Sequence, residues 1–391
     1  LTLLQGQTAT DSFTYTLTDS EGVSLSTTLT ITVNGLAGTV TSGSGVMLGS
    51  NFDDVLIGGA GYDVLIGFDG NDRLIGGDGL ADELYGGAGD DTYVVDIIGD
   101  SIVELAGEGF DTVETTALAY TLPANVEALI FTGVGAFLGT GNELDNVITG
   151  GAGADVLFGL AGDDILRGGD GQNTLHGGEG NDTYIVESDG DVIVESPGEG
   201  IDTVETTLST WTLAAGLENL IYTGTGVFTG IGNTLDNVIT GGVGNDAFIA
   251  GLGNDTFNGG AGFDTVDYSA AGSAVTVRLN GNVTQNDGQG GVDTLTGIER
   301  VIGTAFDDLL VGDSLGNTLV GGAGRDTLLG LVGDDILIGG EGVANTLQGG
   351  VGHDRYVVSV AGDSVIELAG EGTDTVETAL STWTLGANLE N

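Results

Sequence analysis

Apolar side chains recur along this chain in a nine-residue rhythm, and each repeat is marked by glycines, an acidic residue and a short alternating run. From Gly58 the text reads GGAGYDVLI, GFDGNDRLI, GGDGLADELY and GGAGDDTYV, and GSNFDDVLI before it shares the register. The last three residues of each unit alternate as a strand does, with an apolar or aromatic eighth position facing one side. Leu56, Leu65, Leu74, Tyr93, Leu157, Leu166, Tyr184, Phe248, Phe257, Leu328 and Leu337 occupy that position and form the predicted core. The glycine-rich first half of the unit predicts a tight turn. One unit is then one turn and one strand, so two units close a coil of 18 residues.

These units gather in blocks at 41–94, 141–186, 232–267 and 303–358. Connectors at 95–140, 187–231, 268–302 and 359–391 carry short Val/Ile/Thr runs such as 101–104, 111–114 and 126–131. A second period of 91 residues relates Asp91 to Asp182 and Tyr120 to Trp211, so a block with its connector is the larger repeat. The connector runs predict strands that continue the solenoid without metal. Residues 1–40 differ: strands at 12–18 and 25–33 flank an Asp19-Ser20-Glu21-Gly22 turn. That is a β-hairpin, expected to be the closing strands of a β-sandwich. The predicted fold class is all-β, with parallel β-roll (β-solenoid) blocks, β-rich connectors and a hairpin remnant of a sandwich domain. Because the pattern starts and stops part-way, the chain is expected to be a piece of a longer protein.

Composition narrows the chemistry. Seventy-six glycines beside only two prolines, with no three-residue period, exclude collagen. Apolar residues make up 40%, too many for a disordered acidic tail. Fifty-eight acidic against six basic residues leave a formal charge of −52, a self-repulsion that disfavours a compact state unless cations are bound. The same charge argues against nucleic acid and anionic membranes as partners. No cysteine is present, which removes disulfides and zinc-thiolate sites. No apolar run reaches membrane-spanning length, and residues 1–20 lack the pattern of a signal peptide.

The sixth position of each unit supplies the carboxylates. Coils stack at about 4.8 Å, which sets the acid of one unit beside that of the unit two on, with turn carbonyls around the gap. Hard oxygen ligands with two formal charges suit Ca²⁺, and the unscreened pair would otherwise repel. Full pairs are Asp54/Asp72, Asp63/Asp82, Asp72/Asp91, Asp164/Asp182, Asp246/Asp264, Asp308/Asp326 and Asp335/Asp354. Mixed pairs are Asn146/Asp164, Asp155/Asn173, Asn237/Asp255, Asn317/Asp335 and Asp326/Asn345, expected to be weaker or vacant because an amide brings no charge. Calcium binding is expected to be coupled to folding.

The GGxGxDxUx units, about twenty in register, resemble the RTX family of haemolysin-type calcium-binding repeats, which also serves as a stock example of this nonapeptide. The resemblance implies type I secretion as an unfolded chain and folding in external calcium. The connectors, with EGxDTVET and NVExLIxTG, resemble linkers of large RTX exoproteins, and the first 34 residues resemble the end of a cadherin-like or VCBS-type domain.

Other features read more plainly. Gly312-Asp313-Ser314-Leu315-Gly316 fits two hydrolase patterns, but it fills positions one to five of a unit with no helix after it. His176 and His353 are expected to be exposed and idle, and no HExxH motif occurs. Tyr120, Trp211 and Trp383 share one place in the long repeat and are expected to plug the core rather than form a sugar platform. Val55/Ile57, Val64/Ile66 and Ile336/Ile338 would make an apolar outer face, either from plain β-propensity or for packing on a neighbouring segment or a second chain. The expected function is therefore a non-catalytic, calcium-folded repeat region of a secreted, extracellular adhesin-like or matrix-like protein. The alternatives are the calcium module of a secreted protease, lipase or epimerase, and a surface-layer or filament component.

Overall fold

The three residues after each acidic sixth position, with an apolar or aromatic one in the middle, are enough for one short strand, and the glycines that follow turn the chain before a second can hydrogen-bond to it. Strands of one face therefore pair with the next coil, not with their chain neighbours. This computed structural model describes residues 8–18, 24–34 and 40–391 except 78, 97 and 98. Two units result, Leu1–Glu179 and Gly180–Asn391. Each carries a parallel β-solenoid.

In the first unit one face stacks Val40–Ser42, Val55–Ile57, Arg73–Ile75, Thr92–Val95, Thr112–Thr115, Ala128–Phe131, Val147–Ala152 and Ile165–Asp170 in parallel. The opposite face stacks Val46–Leu48, Val64–Asp69, Glu83–Ala88 and Ser101–Ile102, then Ala119–Thr121, Leu138–Thr140, Val156–Ala161 and Thr174–Glu179. Thr112–Thr115 and Ala128–Phe131 belong to a connector, so the coil runs on through it as expected. Thr8–Thr18 and Ser24–Asn34 pair antiparallel, Thr8 with Asn34 and Thr18 with Ser24, in a two-stranded sheet of their own. The predicted hairpin is present and longer than read; its turn lies outside the described residues.

The second unit repeats the plan with one departure. Thr256–Gly260 pairs with Thr294–Thr296, while Thr276–Arg278 pairs with Leu309–Val311. Between them Val283–Asn286 runs antiparallel to both. Residues 268–302 thus put an antiparallel excursion on one face, whereas the other face passes from Thr265–Asp267 to Arg300–Ile302 without interruption. The 3₁₀ turn Leu279–Gly281 belongs to this excursion, and among the described residues no helix is long and apolar enough to cross a membrane.

All eleven predicted core side chains are fully buried. Burial of a leucine of this kind is worth about 1.5–3 kcal/mol. The aromatic prediction for the connectors is corrected: Tyr120, Trp211 and Trp383 are only half-buried. The connector core is filled instead by the stacked pairs Phe131–Phe137 and Tyr222–Phe228, with centroids 4.5 and 4.6 Å apart. Space for them comes from Gly139 and Gly230, which stand at inward positions where a Cβ would meet Phe137 at 2.7 Å and Phe228 at 2.9 Å. His176 is half-buried against Phe158, with ring centroids 4.5 Å apart, rather than exposed. His353 is exposed, and its Nδ1 accepts from the Thr373 amide. Val55, Ile57, Val64, Ile66, Ile336 and Ile338 are half-buried on the outer face.

Candidate metal centres

The turn that places the sixth residue also buries it. Asp54, Asp63, Asp72, Asp82, Asp91, Asp155, Asp164, Asp182, Asp246, Asp255, Asp264, Asp308, Asp326, Asp335 and Asp354 are each at most 3% exposed. Their carboxylates are held by a repeated hydrogen bond from a backbone amide one coil earlier. The Asp54 amide donates to Asp72 Oδ1 at 2.7 Å, Asp63 to Asp82 at 2.7 Å and Asp72 to Asp91 at 2.7 Å. Asp246 donates likewise to Asp264, Asp308 to Asp326 and Asp335 to Asp354. The mixed pairs share the geometry, since Asn146 donates to Asp164, Asn237 to Asp255 and Asn317 to Asp335, while Asp155 and Asp326 donate to Asn173 and Asn345. Asp164 and Asp182 belong to different units.

The second carboxylate oxygen separates the sites. Oδ2 of Asp54, Asp63, Asp155 and Asp308 accepts from an amide of its own turn, at Ser50, Gly59, Gly151 and Thr304. Oδ2 of Asp72, Asp82, Asp91, Asp246, Asp255, Asp264, Asp326, Asp335 and Asp354 is buried with no hydrogen-bond donor. A buried, donorless carboxylate oxygen is costly unless a cation meets it. Eight of the nine lie beside the first glycine of their unit, with further oxygen around it; in the Asp255 unit that position is Ala250. A Cβ on Gly76 would sit 2.7 Å from Asp82 Oδ2 and 3.3 Å from Asp100 Oδ2; on Gly330 it would meet Asp335 Oδ2 and sit 2.6 Å from the Gly349 carbonyl. Oxygen-only donors converging on a cradle that excludes a methyl group fit a hard divalent ion such as Ca²⁺.

A family model described as the RTX calcium-binding nonapeptide repeat, in four copies, matches residues 48–79, 81–96, 140–175, 161–193, 231–266 and 311–343. The chain carries RTX calcium-binding repeats. A segment of 70 residues, 18% of this chain, is 50% identical to an endo-1,3-1,4-β-glycanase of Rhizobium meliloti (strain 1021). The match covers 15% of the glycanase, so the chain spans a small part of that relative's length.

Electrostatics of the RTX turns follow from their burial. Desolvation pushes the carboxyls of Asp91, Asp255, Asp326 and Asp354 up to about 7 and those of Asp72 and Asp335 to about 6, against the partial relief of the amide each accepts from. Neighbouring aspartates raise them further. Asn at the sixth position answers the same surroundings by donating. The Asn146 amide reaches the carbonyls of Val126 and Glu127, both at 3.3 Å, and that of Asn237 those of Leu217 at 3.0 Å and Glu218 at 3.2 Å.

The RTX ladder also runs beyond the residues the nonapeptide pattern picks out. Asp111, Asp202 and Asp374 accept from the amides of Asp91, Asp182 and Asp354, and they donate in turn to Glu127, Glu218 and Glu390. Asp82 donates to Asp100, Asp255 to Asp293 and Asp264 to Glu299. A signal was available for the first three: AGEGFDTVE keeps every conserved position of the unit around Asp111 except the first glycine. Asp293 carried a similar signal, since GQGGVDTLT lacks only the second glycine of the unit, but its rung is 38 residues from its partner across the antiparallel excursion.

Proposed function

We propose that this chain is a non-catalytic, calcium-folded repeat region of a secreted protein, adhesin-like or matrix-like, that acts outside the cell. The observation that carries the reading is the set of nine buried aspartate oxygens without donors, which recur in blocks 41–94, 232–267 and 303–358. The ligands would be the fifteen sixth-position aspartates, strongest where Oδ2 has no donor. Calcium would bridge consecutive coils in blocks 41–94, 141–186, 232–267 and 303–358. Without it the acidic chain would be unfolded and exportable by a type I route; at external calcium levels the coils of each unit would stack as a solenoid in which each contacts only its neighbours. The half-buried outer face of Val55, Ile57, Ile336 and Ile338 would be the place for lateral association.

A second reading is supported by the glycanase similarity: the repeats would be the calcium-dependent folding module of a secreted enzyme whose catalytic residues are elsewhere. Glycan hydrolysis by the full-length protein favours this reading, and attachment to cells or matrix without hydrolysis favours the first. The calcium claim shared by both is tested by far-ultraviolet circular dichroism of the chain, titrated with calcium and in parallel with magnesium. A coil-to-β transition at roughly 0.1–1 mM calcium, absent with magnesium, is the expected result. A chain already β-structured in EDTA at neutral pH and indifferent to calcium overturns it.

A further inference from the structure

The last strand of three blocks differs from the others: its inward residue is a tyrosine, Tyr93, Tyr184 or Tyr356, and a glutamate follows eleven residues on. In each case the tyrosine hydroxyl meets that glutamate, Glu104, Glu195 or Glu367. Tyr93 and Tyr356 are fixed from the other side by the amides of Gly86 at 2.8 Å and Gly349 at 2.6 Å. One glutamate oxygen is thereby tied; the other is buried without a donor in Glu104 and Glu367, and in Glu195 accepts from the Ser196 amide at 3.2 Å. Ligand-capable oxygens of Asp91, Glu104 and Asp111 then lie within 4.8 Å of one another, as do those of Asp182, Glu195 and Asp202, and of Asp354, Glu367 and Asp374.

We propose that each of these three junctions is a separate cation site, in which a glutamate from the connector joins two ladder aspartates to hold one calcium ion. An acidic cluster alone would not carry this, but each cluster also holds buried oxygen without a donor, which in the second is Asp202 Oδ2, on a residue 0% exposed. In the first trio these are Asp91 Oδ2, Glu104 Oε2 and Asp111 Oδ2, on residues 1%, 6% and 0% exposed. In the third they are Asp354 Oδ2 and Glu367 Oε2, on residues 1% and 7% exposed. The charges acting on Glu104 come from Asp111, Asp91 and Glu108, all of one sign, and burial with that repulsion raises its carboxyl to about 9. Glu367 is raised to about 8 and Glu195 to about 7 for the same reasons. Three carboxylates with no nitrogen or sulfur donor select a hard divalent ion over zinc or copper. The third block ends differently: Tyr268 donates to Asp293 at 2.8 Å and Asp264 takes Glu299 as its next rung, so the count is three rather than four.

The ion's identity rests on the calcium reading above; the pocket does not. The test is a count of calcium ions per folded full chain, by equilibrium dialysis and elemental analysis, before and after Glu104→Gln/Glu195→Gln/Glu367→Gln. Glutamine keeps the shape and an oxygen for the tyrosine but removes the charge. The expected result is three fewer ions with the coil-to-β transition retained, and an unchanged count overturns the proposal. Should the triple variant not fold, Glu104→Gln and Glu367→Gln taken singly are each expected to lose one ion, and an unchanged count in both overturns it equally. A wild-type chain that binds no calcium overturns the function proposed above as well, an outcome distinct from one in which calcium binds and the variants leave the count unchanged.

Discussion

Protons should replace calcium in holding this fold. Moving the Asp91 carboxyl from 3.8 to about 7 means that charging it inside the fold costs about 4 kcal/mol more than in an unfolded chain. Asp326 and Asp354 stand at about 7 too, and Asp72 and Asp335 at about 6. The groups repel one another, so the costs are not simply additive, yet three of them already match the ~5–15 kcal/mol net stability of an ordinary domain. Because the fold binds these protons more tightly than the unfolded chain does, their contribution is full below about pH 4 and is lost as pH rises through 6 and 7. For a group at about 7, roughly 2 kcal/mol of the loss falls between pH 5 and pH 7. In EDTA the chain should be coil at about pH 7.5 and recover β-structure at about pH 5, where exposed carboxylates still keep it soluble. With calcium present the order reverses, and the calcium midpoint should rise as pH falls below 7. Circular dichroism across pH, in EDTA and at fixed calcium, reads both. An equal β-signal in EDTA at the two pH values refutes the reasoning.

Gly76→Ala places a methyl group against Asp82 Oδ2 and Asp100 Oδ2 and should raise the calcium midpoint several-fold, whereas Gly61→Ala, with nothing within 4 Å of its Cβ, should leave it unchanged in the same titration. Leu337→Ala empties a fully buried inward position and should cost about 2–5 kcal/mol in urea unfolding with calcium bound, against less than about 0.5 kcal/mol for exposed Leu315→Ala. Asn146→Asp removes the donors to the Val126 and Glu127 carbonyls. It should weaken the calcium-free state by about 1–3 kcal/mol and add one ion to the calcium count, read by calorimetric titration.

The repeating coil was legible because two periodicities coincide: glycines fix where the chain turns, and a single apolar position every nine residues fixes which side is in. Leu56, Tyr93 and Phe257 could be placed from that alone. The connectors were harder, since aromatic size suggested Trp211 as a plug while the space for a plug depends on a glycine one coil away. Gly230 admits Phe228, and nothing local to Trp211 announces that. The acid ladder was read only where glycines framed it. Asp111 and Asp202 sit in a turn that is one glycine short, and Glu104 enters its cluster through Tyr93, a contact across coils that spacing does not encode. The excursion at 268–302 was hidden for the same reason, because antiparallel and parallel strands share one alternating pattern.

The ladder of amides and carboxylates points one way. Each sixth-position amide is answered by a side chain later in the chain: Asp54 by Asp72, Asp91 by Asp111, Asp374 by Glu390. Removing coils from the amino-terminal side leaves the first remaining carboxylate facing water, which a charged group accepts without penalty. Removing them from the carboxyl-terminal side leaves the last remaining amide facing water, a neutral donor in place of the charged acceptor at the other end. A shortened array therefore differs at its two ends: acid is exposed at its head and backbone N–H at its tail, so only the head would gain an open position for a cation.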